Sequence, residues 1–142
     1  MWILFALLAA FFAGLTTIFI KVGIKDINNL LALSIRTTIV LIFSFIVVLF
    51  TCSLNEINNL DFKTIVFLIL SGFTTTLLWI CYFKALQIGD VNKVSPIDKT
   101  SIVLTLILSS IFFKEKITYI KIISMILILL GTFIMSYTKN II

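Results

Sequence analysis

Five apolar segments dominate this sequence: Met1–Ile20, Leu30–Cys52, Thr64–Phe83, Val94–Phe113 and Ile117–Tyr137. Each has about the 20 residues that a helix needs to cross a hydrocarbon core roughly 30 Å thick. The joints between them are short and polar, which leaves no stretch from which a soluble domain could be built. In lipid, every backbone amide must be satisfied within its own segment, so runs of this kind become helices. The expected fold class is therefore all-α: a polytopic membrane protein, one domain over residues 1–142, with five transmembrane helices.

Composition excludes the soluble alternative. Apolar residues make up 61% of the chain, against roughly 45–50% in soluble domains. Stretches such as Ile65–Leu70 and Met125–Leu130 have no polar face at all, whereas a soluble bundle helix would show one. The net charge of +5 comes from 11 basic and 6 acidic residues gathered mainly at segment ends. There, lysine stems snorkel and ammonium groups meet lipid headgroups, so the charge implies a bilayer and no nucleic acid. Met1–Ile20 lacks a basic leader and a small-residue cleavage site, and is expected to be the first span, not a removed signal.

Catalysis finds no support. The chain has no histidine, and Cys52 and Cys81 lack metal-ligand spacing. It has no paired intramembrane carboxylates, no Gly-x-Ser-x-Gly and no phosphate-binding glycine loop. No enzyme, metal site or cofactor is expected.

The joints carry turn chemistry. Gly89 is expected to end the third span in a left-handed conformation. Ser95, Pro96 and Asp98 fit the N-cap, first and third positions of the fourth. Phe112–Thr118 is a tight charged turn that makes spans four and five an antiparallel hairpin. Seven basic residues (Lys21, Lys25, Arg36, Lys84, Lys93, Lys99 and Lys139) fall on one side, and four (Lys63, Lys114, Lys116 and Lys121) on the other. This bias places the C-terminus in the cytoplasm. Arg36 and Lys99 lie within spans, however, and without them the split is five to four, which permits insertion both ways round.

Polar residues on the spans recur at helical spacing. Span four has Asp98, Ser101, Thr105 and Ser109; span three has Ser71, Thr75, Trp79 and Tyr82; span one has Gly14, Thr17 and Lys21; span two has Ser34 and Thr37. Such rows serve either close helix–helix contact or the lining of a polar cavity. Spans three and four suit a cavity better, because their rows are longest and span three's carries aromatics. Asp98 fits both a helix cap and a site. Lys99, in the first turn of the expected fourth helix, opposes the macrodipole and asks for a negative partner such as Asp90, Asp98 or an anionic substrate. Arg36 lies about two turns inside span two, where an ionisable residue is a functional-site hypothesis by default.

The order Lys84-Ala-Leu-Gln-Ile-Gly-Asp90, Val94-Ser-Pro-Ile-Asp-Lys99, Leu104–Phe113, Lys114-Glu-Lys116 and Gly131 resembles the EamA domain of the drug/metabolite transporter superfamily. Lys114 stands where that pattern usually has glycine before the glutamate. Gly14, Lys21 and Arg36 also resemble the family's first-half features. Larger members carry two five-helix repeats in opposite orientations around a cavity and move small metabolites, including amino acids, and some drugs. The resemblance implies that Thr17, Lys21, Thr75, Trp79, Tyr82, Asp98, Ser101 and Thr105 lie near that cavity; in such a transporter Lys99, Asp98 or Arg36 would set charge preference. With one repeat, it implies a homodimer, plausibly antiparallel, in a bacterial cytoplasmic membrane. Two alternatives stand beside this one. The first is a non-transporting accessory subunit. The second is a small multidrug-resistance exporter, against which five spans and the lack of an acid in the first both count.

Overall fold

The computed structural model describes residues 1–51, 61–114 and 118–137. Among them every regular element is a helix: α1 (Trp2–Gly23), α2 (Asn29–Thr51), α3 (Phe62–Ile88), α4 (Val91–Asp98), α5 (Ser101–Phe113) and α6 (Tyr119–Tyr137). Five lengths of helix can cross a bilayer, with α4 and α5 together forming the fourth. The all-α polytopic class expected from the apolar runs is the one observed. Cys52, most of the second joint, Glu115, Lys116 and Lys139 lie outside the described residues.

The chain divides into two compact units, residues 19–87 and residues 1–18 with 88–142. In the first unit, Asn28 Oδ1 accepts the Leu30 N–H at 2.9 Å and so caps the start of α2. Gln87 Nε2 donates to the Ile27 carbonyl at 3.0 Å, tying the first joint to the end of α3. The buried side chains of this unit, Ile20, Ile24, Leu33, Phe83 and Leu86, belong to the end of α1, the start of α2 and the end of α3. Its core therefore sits at the end of the unit where these three termini meet. Towards the other end, α2 and α3 present exposed Phe43, Phe45, Phe67 and Phe73, as lipid-facing helices do.

In the second unit α4 packs along α6, and α5 meets α6 as well. This is the antiparallel pair expected across the Phe112–Thr118 turn. The entry to the fourth span differs from expectation. α3 runs on to Ile88, and no described glycine has positive φ, so Gly89 is not a left-handed terminator. The break comes instead from Asp90, which is extended (φ −78°, ψ 139°) and whose carbonyl accepts the N–H groups of Lys93 and Val94. Asp90 is the N-cap, and Ser95, Pro96 and Asp98 lie inside α4.

Pro96 then has a different consequence from the one expected at a first position. Lacking an N–H, it cannot bond the carbonyl one turn back, and its ring crowds that turn. Past it the ladder tightens: Lys99 N–H bonds Pro96 O, Thr100 N–H bonds Ile97 O, and Ile102 N–H bonds Lys99 O. These i→i−3 bonds separate α4 from α5.

Lys114 closes α5 in the left-handed conformation (φ 53°, ψ 31°). For an L-residue this costs roughly 1–2 kcal/mol. It is also the position where the EamA pattern has glycine. Lys114→Gly is therefore expected to raise the thermal midpoint in detergent, by the equivalent of about 0.5–1 kcal/mol after glycine's extra unfolded entropy. Lys114→Ala, which keeps the Cβ, should not; a lower midpoint for the glycine variant would contradict the strain.

Candidate functional site

Arg36 and Trp79 meet across α2 and α3, with the guanidinium carbon 3.9 Å from the centre of the indole. The charge rests on the ring's negative face, a contact that strengthens as water is excluded. Trp79 is held from its other sides. Tyr82 meets it edge-on at 5.7 Å and 82°, and the buried Phe83 at 6.1 Å and 77°. Two contacts along α3 thus fix the ring that positions the arginine.

Beside this pair lies a groove of about 180 Å³, lined by Leu33, Arg36, Thr37, Val40, Thr75, Thr76 and Trp79. Leu33, Thr37 and Thr76 also border an adjoining depression of about 340 Å³, which reaches Ser34, Thr38 and Ile80. Arg36 is seven residues from the start of α2 and Trp79 nine from the end of α3. At 1.5 Å per residue both lie about 10–13 Å from those helix ends, inside two of the lengths of helix that can cross a bilayer.

The threonines have a defined polarity. Thr37 Oγ1 donates to Leu33 O at 2.8 Å, Thr75 to Ser71 O at 2.8 Å and Thr76 to Gly72 O at 3.0 Å. Each hydroxyl proton returns to its own helix, and what remains for a solute is acceptor lone pairs. The donors of the groove are the Arg36 guanidinium and the Trp79 indole N–H.

The expected site residues fall into distinct environments. Arg36, Thr75 and Trp79 are brought together, with Tyr82 behind the indole. Lys21 donates from Nζ to the Leu86 carbonyl at 2.6 Å. That carbonyl is in the last turn of α3, where the macrodipole favours a cation, so Lys21 stitches α1 to α3. Thr17 is buried, and its hydroxyl donates to Ala13 O at 3.0 Å.

Asp98, Lys99, Ser101 and Thr105 belong to the other unit. Lys99 and Asp98 pair at 3.2 Å, and Thr105 Oγ1 donates to Ser101 O at 2.9 Å. Lys99 caps the C-terminal end of α4, where a cation suits the dipole, so the objection raised by a first-turn position disappears. Its negative partner is one of those expected, Asp98, and the pair is exposed.

Thr76 lines the groove without having been singled out, and Thr37 joins it from the row read on span two. Their signal was local: Leu33, Thr37 and Val40, and Thr76 and Trp79, are spaced three or four apart on single helix faces.

No solved structure matches this chain. A Sinorhizobium sp. protein, described as an uncharacterized transporter in the cobO 3' region, is 40% identical over 116 residues, 82% of each chain. The model of the EamA-like transporter family matches residues 1–137. Five membrane-crossing helices, a match along nearly the whole length and a relative described as a transporter agree: the chain belongs to the EamA-like transporter family of multi-pass membrane proteins.

Proposed function

We propose that this protein carries small metabolites across a bacterial cytoplasmic membrane as a homodimer, with its substrate path lined by the Arg36–Trp79 groove. The observation that carries this reading is a cation held on an aromatic platform, beside acceptor hydroxyls, within the membrane span of a transporter-family chain. A charged side chain at that depth is costly unless it faces a cavity or a partner. Within one chain the groove is about 180 Å³, and a second copy would enlarge it.

A second copy supplies the other wall. The spans bury at most 6% of their apolar windows within one chain. A Cβ at Gly14, Gly72 or Gly131 would meet nothing within 4 Å, so these small residues leave room for a neighbouring helix. The seven-to-four division of basic residues is weak enough for the copies to insert antiparallel.

Purified protein in liposomes is expected to give saturable uptake of labelled metabolites above protein-free vesicles, and cysteine-independent crosslinking should trap dimers in the bilayer. Absence of flux across the panel, with folded protein present, would favour an accessory role. Monomers alone would refute the shared cavity.

A further inference from the structure

The charge of the groove specifies its cargo. We infer that the solute seated between α2 and α3 is a monocarboxylate with a small apolar body, its carboxylate on Arg36. This inference rests on the transporter reading above and deepens it.

Arg36 takes part in neither of the ion pairs found among the described residues, Lys93–Asp90 and Lys99–Asp98. Its contact is the indole face of Trp79. Stacking uses the flat face of a guanidinium and leaves its edge N–H groups free to point outward. Those N–H groups form a fork that matches the two oxygens of a carboxylate. A lysine at this position would offer a point charge without the fork. The groove therefore holds one unit of positive charge, presented in a form suited to a planar anion.

The remaining walls complete the description. Leu33, Val40 and the rim of Trp79 are apolar and suit a short branched or aromatic tail. Thr37, Thr75 and Thr76 present acceptor oxygens, because their protons are given to Leu33, Ser71 and Gly72 carbonyls. Such oxygens accept from a solute hydroxyl, but they carry no charge to neutralise an ammonium. A monoanion neutralises the one Arg36 that each chain contributes. An amine adds like charge at low dielectric, and a zwitterion leaves its ammonium unpaired.

Trp79 is also the reporter. The chain has two tryptophans, so in a Trp2→Phe background the emission comes from Trp79. Purified protein in mild detergent is titrated with 4-methylpentanoate, its amide, isopentylamine and leucine. The acid is expected to shift Trp79 emission saturably, and the other three to bind roughly tenfold or more weakly, the usual worth of a hydrogen-bonded charge.

Arg36→Gln should abolish the preference for the acid. Arg36→Lys, which keeps the charge but not the fork, should fall between the two, and it carries the test if the glutamine variant does not fold. An amide, amine or leucine response equal to that of the acid overturns the inference, as does no response to the acid. Uptake by liposomes separates the two readings: flux that ignores solute charge refutes the carboxylate assignment alone, whereas no flux of any solute refutes transport itself.

Discussion

Phe83→Ala is expected to destabilise the protein by about 3–5 kcal/mol, the cost of a large-to-small change at a filled core position. Phe83 is 2% exposed. Its ring meets the edge of Trp79 and lies where the ends of α1 and α3 and the start of α2 converge. In lipid the loss comes from dispersion contacts that no neighbour can replace, because a void of this size finds no partner atoms. Denaturant titration of purified protein measures it directly. Phe83→Leu should cost less than about 1.5 kcal/mol, since most of the volume is kept. Phe67→Ala, on an exposed face of α3, should be close to neutral. Equal midpoints for the Phe83 and Phe67 alanine variants would show that the unit has no packed core at this end.

The spans were legible in the sequence because one physical signal dominates there. An apolar run of bilayer length has no alternative to a helix in lipid, and α1, α2, α3 and α6 fall on the expected runs. The start of the fourth was not legible, since two N-cap residues, Asp90 and Ser95, compete within six positions. Proline is favoured at a first helical turn, which pointed to Ser95. The actual determinant is the extended backbone at Asp90, and past Pro96 the ladder tightens to i→i−3 bonds from Lys99 onward. Counted from Ser95, Lys99 falls in a first turn; counted from Asp90, it lies at the C-terminal end of α4.

Arg36 and Trp79 were each conspicuous alone, one as a charge within a span and the other as an aromatic in a polar row. Their contact depends on how α2 and α3 are set against each other, and helical spacing within one span carries no such information. The hydroxyl rows were legible as rows, but not in their chemistry. Thr16, Ser34, Thr74 and Ser124, like the groove threonines, return their protons to carbonyls four residues back. A hydroxyl so satisfied tolerates lipid, and its presence on a face does not by itself require a second wall. Arg36 does.

Trp79→Ala is expected to lower uptake by about tenfold or more, through a rise in KM and not a fall in kcat. The indole does two things that alanine cannot. It offers a face to the solute, and it is the platform on which the Arg36 guanidinium lies at 3.9 Å. The cation–aromatic contact contributes roughly 0.5–2 kcal/mol to holding the guanidinium in place, and the loss of affinity follows from a less well oriented Arg36. Without the ring, Arg36 is free to swing toward water and the groove loses its oriented charge. Trp79→Phe keeps a weaker face and should retain transport to within about fivefold. Trp2→Ala, at an exposed position near the start of α1, is the control for loss of an indole as such. Circular dichroism and the dimer fraction should match wild type for Trp79→Phe and Trp2→Ala, whereas Trp79→Ala also removes the ring contact with Phe83, so its uptake is compared at equal folded fraction. Normal uptake by Trp79→Ala, with the protein folded, would place the solute path away from α2 and α3 and leave the arginine on its tryptophan as a structural contact.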